Sequence, residues 1–175
     1  MHRLTTARTW VSLPGAIAVV VALALVGPPA SAASDERDDT VGDAVRKIDI
    51  ASFSVRNGDS RAVITSHVPG LKQGGWFGFV YGYSRYRGLV VEARKIDGQL
   101  VVDATYCVGI SSPCPYADVD CPGLRVRWST TKHSVRATIP QRCYPAALPA
   151  PRIFNAYSGS STDFDDAGVL RVARG

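Results

Sequence analysis

Short runs of β-forming residues, separated by turn signals, fill most of this 175-residue chain beyond its first 46 residues. Around position 79 the pattern alternates, with Phe77, Phe79, Tyr81 and Tyr83 on one face, and this period of two indicates a strand. Asn57-Gly58 and Asp97-Gly98 each separate two such runs and are typical of hairpin turns. Nine runs at about ten-residue spacing predict an all-β, two-sheet antiparallel β-sandwich of jelly-roll-like type, with a closed barrel as the alternative. The runs are 47–55, 61–68, 76–86, 89–96, 100–106, 124–128, 135–139, 152–157 and 169–172.

The start of the chain has the pattern of a secretory signal peptide. Arg3 and Arg8 precede an apolar stretch from Ala16 to Val26, and small residues follow at Ala30 and Ala32. We therefore expect residues 1–32 to be cleaved and the mature protein to be secreted, with no membrane attachment after cleavage. Residues 33–47 are predicted to form a loose acidic arm, and 48–175 a single sandwich domain.

Four cysteines lie in the predicted mature chain, at Cys107, Cys114, Cys121 and Cys143. An even number in an exported protein predicts two disulfides, and we favour Cys107 with Cys114 and Cys121 with Cys143 among the three pairings. The first pair would clamp a small loop. The alternative, a zinc site, is disfavoured because the spacing contains no CxxC motif.

Several short motifs resemble those of known secreted proteins. Gly42-Asp43, Ile48-Asp49-Ile50, the stretch 121–128 and Ile139-Pro140-Gln141-Arg142-Cys143 resemble a group of small secreted actinobacterial proteins of uncharacterised function. The Asp-rich lead into Asp49-Ile50 is also similar to sandwich domains of the family 9 carbohydrate-binding and DOMON-like type. That resemblance implies a noncatalytic module that binds sugar, haem or another ligand, sometimes with calcium. The predicted mature chain has no Met to ligate haem.

No catalytic motif stands out, so no catalytic residue is assigned. The segment Gly82-Tyr83-Ser84-Arg85-Tyr86 lacks the final glycine of a nucleophile elbow, and Ser129-Thr130-Thr131-Lys132 places an SxxK pattern on a hairpin tip instead of a helix. We therefore predict a protein that is not an enzyme, with a hydrolase of unrecognised type as the third choice.

Acidic residues gather near both ends of the predicted domain. A sandwich could bring Asp39, Asp43 and Asp49 near Asp163 and Asp165, and carboxylate oxygens are the ligands that calcium prefers. The four candidate metal ligands are Asp43, Asp49, Asp163 and Asp165, and calcium is the only cofactor that the sequence suggests. Solvated acidic loops are the alternative.

The middle of the chain is basic and contains an aromatic run. Residues 50–162 carry a net charge of +7, which could attract anionic envelope polymers, although alternating arginines are also typical of the solvated face of a sheet. Aromatic rings beside arginines, together with a tyrosine in the Cys-rich loop, form the candidate ligand surface. Its members are Trp76, Tyr83, Arg85, Tyr86, Arg87 and Tyr116.

Two hypotheses follow from these features. The first is a secreted noncatalytic binding module for a glycan or cell-envelope polymer. The second is an extracellular interaction protein, such as a hydrolase inhibitor, that presents the stiff loop from Cys107 to Cys121 to a secreted protein. Nucleic acid is not an expected partner for an exported chain.

Overall fold

The computed structural model of the chain describes residues 32–84, 87–107, 116–146 and 148–175, with the backbone alone at residues 84, 87 and 116. Within these ranges the chain is almost entirely β-structure, and its one short helical element, η1, is a 3₁₀ turn at Gln141–Cys143. None of the described residues forms a helix long and apolar enough to cross a membrane. The strands are β1 (Ala33–Asp38), β2 (Ser52–Asn57), β3 (Arg61–His67), β4 (Trp76–Ser84), β5 (Arg87–Ile96), β6 (Gln99–Cys107), β7 (Tyr116–Asp118), β8 (Arg125–Ser129), β9 (Ser134–Pro140), β10 (Ile153–Gly159) and β11 (Phe164–Arg171).

The strands form two antiparallel sheets. One sheet has the order β1-β2-β3-β9-β8 and the other the order β11-β10-β4-β5-β6-β7. The chain leaves the five-stranded sheet after β3, returns after β7 and leaves again after β9, so β3 pairs with β9 and β4 with β10 over long sequence separations. This architecture confirms the predicted two-sheet antiparallel sandwich.

Apolar side chains from both sheets meet in one core. Phe77, Phe79 and Tyr81 of β4 are fully buried, so this part of the aromatic run belongs to the core. Phe77 of the six-stranded sheet contacts Trp128 of the five-stranded sheet edge to face, with ring centroids 5.0 Å apart. Burying these rings removes large apolar areas from water and is the main force holding the two sheets together.

The predicted count of nine strands is wrong, because the described residues contain eleven. The additional strands are β1 and the three-residue β7. We expected residues 33–47 to be a loose arm. Instead, Ala33–Asp38 pairs with β2, with Ala33 opposite Asn57 at one end and Asp38 opposite Ser52 at the other. Five of the six β1 side chains are exposed, so backbone hydrogen bonds hold this edge strand and no apolar alternation marks it in the sequence.

The two predicted hairpins form with different turns. Asp97 and Gly98 have φ angles of 50° and 79°, as a two-residue turn of type I′ requires. At the other hairpin Asn57 belongs to β2 and is fully buried, and the Gly58 N–H donates to the Arg61 carbonyl at 3.1 Å. The chain therefore reverses at Asp59 and Ser60 and not at the Asn-Gly pair.

A disulfide joins Cys121 to Cys143, with the two Cα atoms 5.1 Å apart, which confirms that predicted pair. It links the segment before β8 to η1, which follows β9. Cys107 is also disulfide-bonded, while its predicted partner Cys114 lies outside the described residues.

Removing the Cys121–Cys143 bond should destabilise the fold measurably. The bond spans 22 residues, and a loop of this size is expected to stabilise by about 3 kcal/mol through its effect on the unfolded chain. We expect the double variant C121A/C143A to lose about that amount in urea unfolding without reductant. Wild-type protein unfolded in the same series is the reference. A loss under about 1 kcal/mol would contradict this entropic account.

Candidate functional site

Exposed arginine side chains line a groove on the outer face of the five-stranded sheet, the face turned away from the core. We call it the arginine groove. Its volume is about 810 Å³, and the short side chains of Val63 and Thr138 lie between the arginines. β2, β3, β8, β9 and η1 each contribute at least one arginine. These residues are Arg56, Arg61, Arg125, Arg127, Arg136 and Arg142.

The strand register explains why these arginines meet. Side chains on a strand alternate between the two faces of the sheet, so the residues that come directly before and after a core residue point outward. Arg127 of β8 lies directly opposite Arg136 of β9. Two residues further along these strands, Arg125 of β8 lies opposite Thr138 of β9. Thr138 lies opposite Val63 of β3, which lies opposite Arg56 of β2, so these four residues form one row across the sheet. The pairing of β3 with β9 therefore brings together charges that are far apart in the sequence.

The charge in this groove is almost uncompensated. Among the described residues none of the six arginines forms an ion pair with an acidic side chain, and Asp59 is the one carboxylate in the lining. Asp59 itself lies 3.6 Å from Arg174, measured from Oδ1 to Nε. The opposed pair of Arg127 and Arg136 costs stability, because like charges directly across two strands repel. A surface that keeps such a pair is suited to an anionic ligand.

Acidic side chains border the positive surface on one side. A neighbouring hollow of about 420 Å³ is lined by Asp35 and Glu36 of β1 and shares Arg56 and Arg136 with the arginine groove. The outer face of the sheet is thus acidic along the β1 edge and basic toward β8. An anionic ligand would be directed toward β9 and β8 by this gradient.

The structure separates the predicted aromatic surface residues. Trp76 is half-buried on the outer face of the six-stranded sheet, whereas Tyr83 is half-buried against the core, so the exposed position expected for Tyr83 is not found. Arg85 and Tyr86 lie outside the described residues. For Arg87 and Tyr116 only the strand positions are described, at the start of β5 and of β7.

Trp76 belongs to a three-ring group that we call the aromatic patch. Its ring lies 5.5 Å from that of Tyr157 and 6.0 Å from that of Phe164, which is 54% exposed. Tyr157 covers Gly78 and Trp76 covers Gly159 so closely that a Cβ atom on either glycine would lie within 2.4 Å of the ring. Tyr157 and Phe164 were not predicted as surface residues from the sequence. The glycines of β4 were the available signal, since aromatic side chains pack across strand glycines.

A second candidate site lies where the edge strands β1 and β11 meet. One carboxylate oxygen from each of Asp43, Asp49 and Asp165 lies within 4.8 Å of the others, and we call these residues the aspartate cluster. The Ile50 N–H donates to Asp165 Oδ2 at 2.6 Å, and the Gly42 N–H donates to Asp49 Oδ2 at 2.9 Å. The first bond holds the segment before β2 against β11, and the second bond lies within that segment.

Asp163, the fourth predicted ligand, lies beside the aspartate cluster without joining it. Its Oδ2 accepts a hydrogen bond from the Val45 N–H at 2.6 Å, which fixes the same loop. Burial, with repulsion from Asp39 and the cluster carboxylates, raises the pKa of Asp165 to about 6. Burial also raises the pKa of Asp39, and Asp43 adds to this effect. The cluster therefore holds carboxylates at a position where little water is available to stabilise their negative charges.

No protein-family model, no curated protein and no solved structure matches this chain.

Proposed function

We propose that this protein is a noncatalytic extracellular binding module and that its arginine groove binds an anionic cell-envelope polymer. The observation that supports this most directly is the collection of six exposed arginines around one groove that has a single lining carboxylate among the described residues. Guanidinium groups form paired hydrogen bonds with phosphate and carboxylate oxygens. Teichoic acids and acidic polysaccharides carry such groups at every repeat, so they are the ligand classes that fit this chemistry.

The shape of the groove suits a chain better than a single small anion. Four neighbouring strands, β2, β3, β9 and β8, lie beneath it, and strand spacing gives a width of about 14 Å. Because five of the six arginines project from strands of a sheet, their backbone positions are fixed before the ligand arrives. A polymer with repeated charges can contact several of them at once, and weak single contacts then add to a useful affinity.

The predicted export of the chain supports the choice of an envelope polymer. The Cys121–Cys143 bond fits an oxidising compartment, and the sequence begins with a secretory pattern. The predicted signal peptide itself lies outside the described residues, apart from Ala32. In this setting anionic polymers of the cell surface are the accessible partners.

The aromatic patch supports a second candidate function, the binding of an uncharged glycan. Sugar rings stack on exposed aromatic faces, and Phe164 offers the most exposed ring of the three. The alternative of a hydrolase inhibitor depends on the Cys107 to Cys121 loop, of which residues 108–115 lie outside the described ranges. That alternative stays a prediction.

Depletion from solution by insoluble polymers tests the proposal. We expect bacterial cell wall that retains its teichoic acid to deplete the purified protein, whereas wall stripped of teichoic acid, chitin, cellulose and uncharged xylan should not. The depletion should disappear when salt is raised from about 0.05 M to about 1 M, because the Debye length falls to about 3 Å. Soluble polyglutamate and heparin, added as competitors, separate a carboxylate or sulfate preference from a phosphate preference.

Two results would count against the arginine groove. Depletion by chitin or cellulose that resists high salt, and that is lost in the variant Phe164→Ala, would assign binding to the aromatic patch. Failure of every polymer to deplete the protein would remove the polymer proposal altogether and direct the search to protein partners.

A further inference from the structure

We propose that the aspartate cluster is a calcium site that fastens the loop before β2 to strand β11. The cluster is separate from the arginine groove, which lies on the outer face of one sheet, whereas the cluster residues belong to the loop before β2 and to β11. The cluster residues come from two distant parts of the chain, 43–49 and 165. A bound cation would therefore connect these parts directly.

Beyond the close approach of three carboxylates, one buried oxygen atom points to a ligand. Asp49 is only 5% exposed, and its Oδ1 atom is buried without a hydrogen-bond partner among the described residues. A buried carboxylate oxygen that lacks a partner costs free energy unless a cation or a donor satisfies it. The other oxygen of Asp49 is already occupied by the Gly42 N–H, so Oδ1 is the atom left to bind a metal.

The same conclusion follows from charge. Asp49 and Asp165 are both at most 5% exposed, and no cluster carboxylate forms an ion pair within the described part of the chain. Burying unpaired carboxylates side by side is strongly unfavourable. Asp39 adds a further carboxylate, half-buried, whose Oδ2 also lacks a hydrogen-bond partner among the described residues. A divalent cation is the ligand that removes this repulsion at neutral pH.

The donor set favours calcium over other divalent cations. Within the described ranges the cluster offers carboxylate oxygens without histidine or cysteine, which selects hard cations over zinc or copper. Calcium accepts six to eight oxygens in irregular geometry, whereas magnesium requires a near-ideal octahedron. Carboxylates contributed by a loop and an edge strand match the more tolerant ion.

Titration of chelator-treated, purified protein with calcium chloride tests the site. We expect calorimetry to show one calcium per chain, and saturating calcium to raise the melting temperature by at least about 5 °C. Magnesium chloride should bind at least about tenfold more weakly. Absence of both calcium heat and a melting shift in the wild type would overturn the proposal, and equal affinity for magnesium would overturn the assignment to calcium.

Variants locate the binding. Asp49→Asn should weaken calcium binding at least about tenfold, because it removes the charge from the buried ligand. Since this variant alters a buried residue and could fail to fold, Asp43→Asn provides a second test at an exposed side chain and should also weaken binding. Asp118→Asn, which changes an exposed carboxylate on β7, is the matched control and should bind as the wild type does. Wild-type affinity in the folded Asp43→Asn and Asp49→Asn variants would contradict the assignment.

Discussion

Reversing the two opposed charges in the arginine groove should abolish binding to the anionic polymer while leaving the fold intact. In the double variant R127E/R136E we expect the affinity for teichoic acid to fall at least about 100-fold, because two attractive contacts become repulsive ones in the middle of the groove. Both side chains are exposed on the outer face, so their replacement leaves the core unchanged. The affinity is measured by calorimetry with soluble teichoic acid at low salt.

A charge-matched control separates the groove from the overall charge of the protein. Arg152 precedes β10 and Arg171 ends β11 in the six-stranded sheet; both are exposed, and neither lines the groove. The variant R152E/R171E has the same net charge as R127E/R136E, and we expect it to keep wild-type affinity within about threefold, the part due to long-range attraction. Equal losses in the two variants would show that net charge, and not the groove, governs binding.

A conservative exchange tests how the groove holds its ligand. Lysine keeps the positive charge of arginine but lacks the planar group that binds two oxygens of one phosphate. We therefore expect R127K/R136K to lie between wild type and R127E/R136E in affinity. This intermediate result would assign part of the binding to directed hydrogen bonds, beyond simple attraction.

The sequence predicts those parts of the fold that depend on local pattern. The alternation around Phe77, Phe79 and Tyr81 indicated strand β4, and Asp97-Gly98 indicated its turn, because side-chain period and turn chemistry act over a few residues. The β1 strand left no such signal. Its side chains are nearly all exposed, and only backbone pairing with β2 makes it a strand.

The candidate sites differ in how far the sequence predicts them. Asp43, Asp49 and Asp165 were among the candidate ligands, because a sandwich could bring the acidic residues from the two ends of the domain together, and the structure does bring these three together. The arginine groove was not expected as a site. Alternation places Arg127 and Arg136 on a solvated face, but only the pairing of β3 with β9 brings Arg56 beside them. Local pattern does not determine such long-range pairings.

The largest loss of stability should come from a buried polar residue, Asn57, at the end of β2. Its side chain is fully buried, and its Nδ2 group donates to the Val172 carbonyl at 3.1 Å and to the Pro151 carbonyl at 3.4 Å. Its Oδ1 atom accepts a hydrogen bond from Gln141 Nε2 at 2.8 Å. Asn57 thus connects β2, η1 and the two segments that flank β10 and β11.

Replacing this residue by alanine should cost about 4 kcal/mol in the free energy of unfolding, because buried donors and acceptors lose their partner and a cavity is left. Urea unfolding measures the change. Ser54→Ala, on the outer face of the same strand, is the control and should stay within about 0.5 kcal/mol of the wild type. A loss under about 1 kcal/mol for Asn57→Ala would show that water or a shift of the chain end replaces these hydrogen bonds.

The stability losses in variants of Asn57 and of its neighbour Gln141 distinguish a connected network of hydrogen bonds from separate hydrogen bonds. Gln141 donates to Asn57 and to the Gly58 carbonyl, and its Oε1 atom accepts a hydrogen bond from the hydroxyl of buried Tyr81. Because Gln141 is half-exposed, water can replace part of its role, so Gln141→Ala should cost less than Asn57→Ala. If Asn57, Gln141 and Tyr81 act as one network, the double variant N57A/Q141A should lose less free energy of unfolding than the two single variants lose in sum. The reason is that removing Asn57 already breaks the hydrogen bond that Gln141 makes to it.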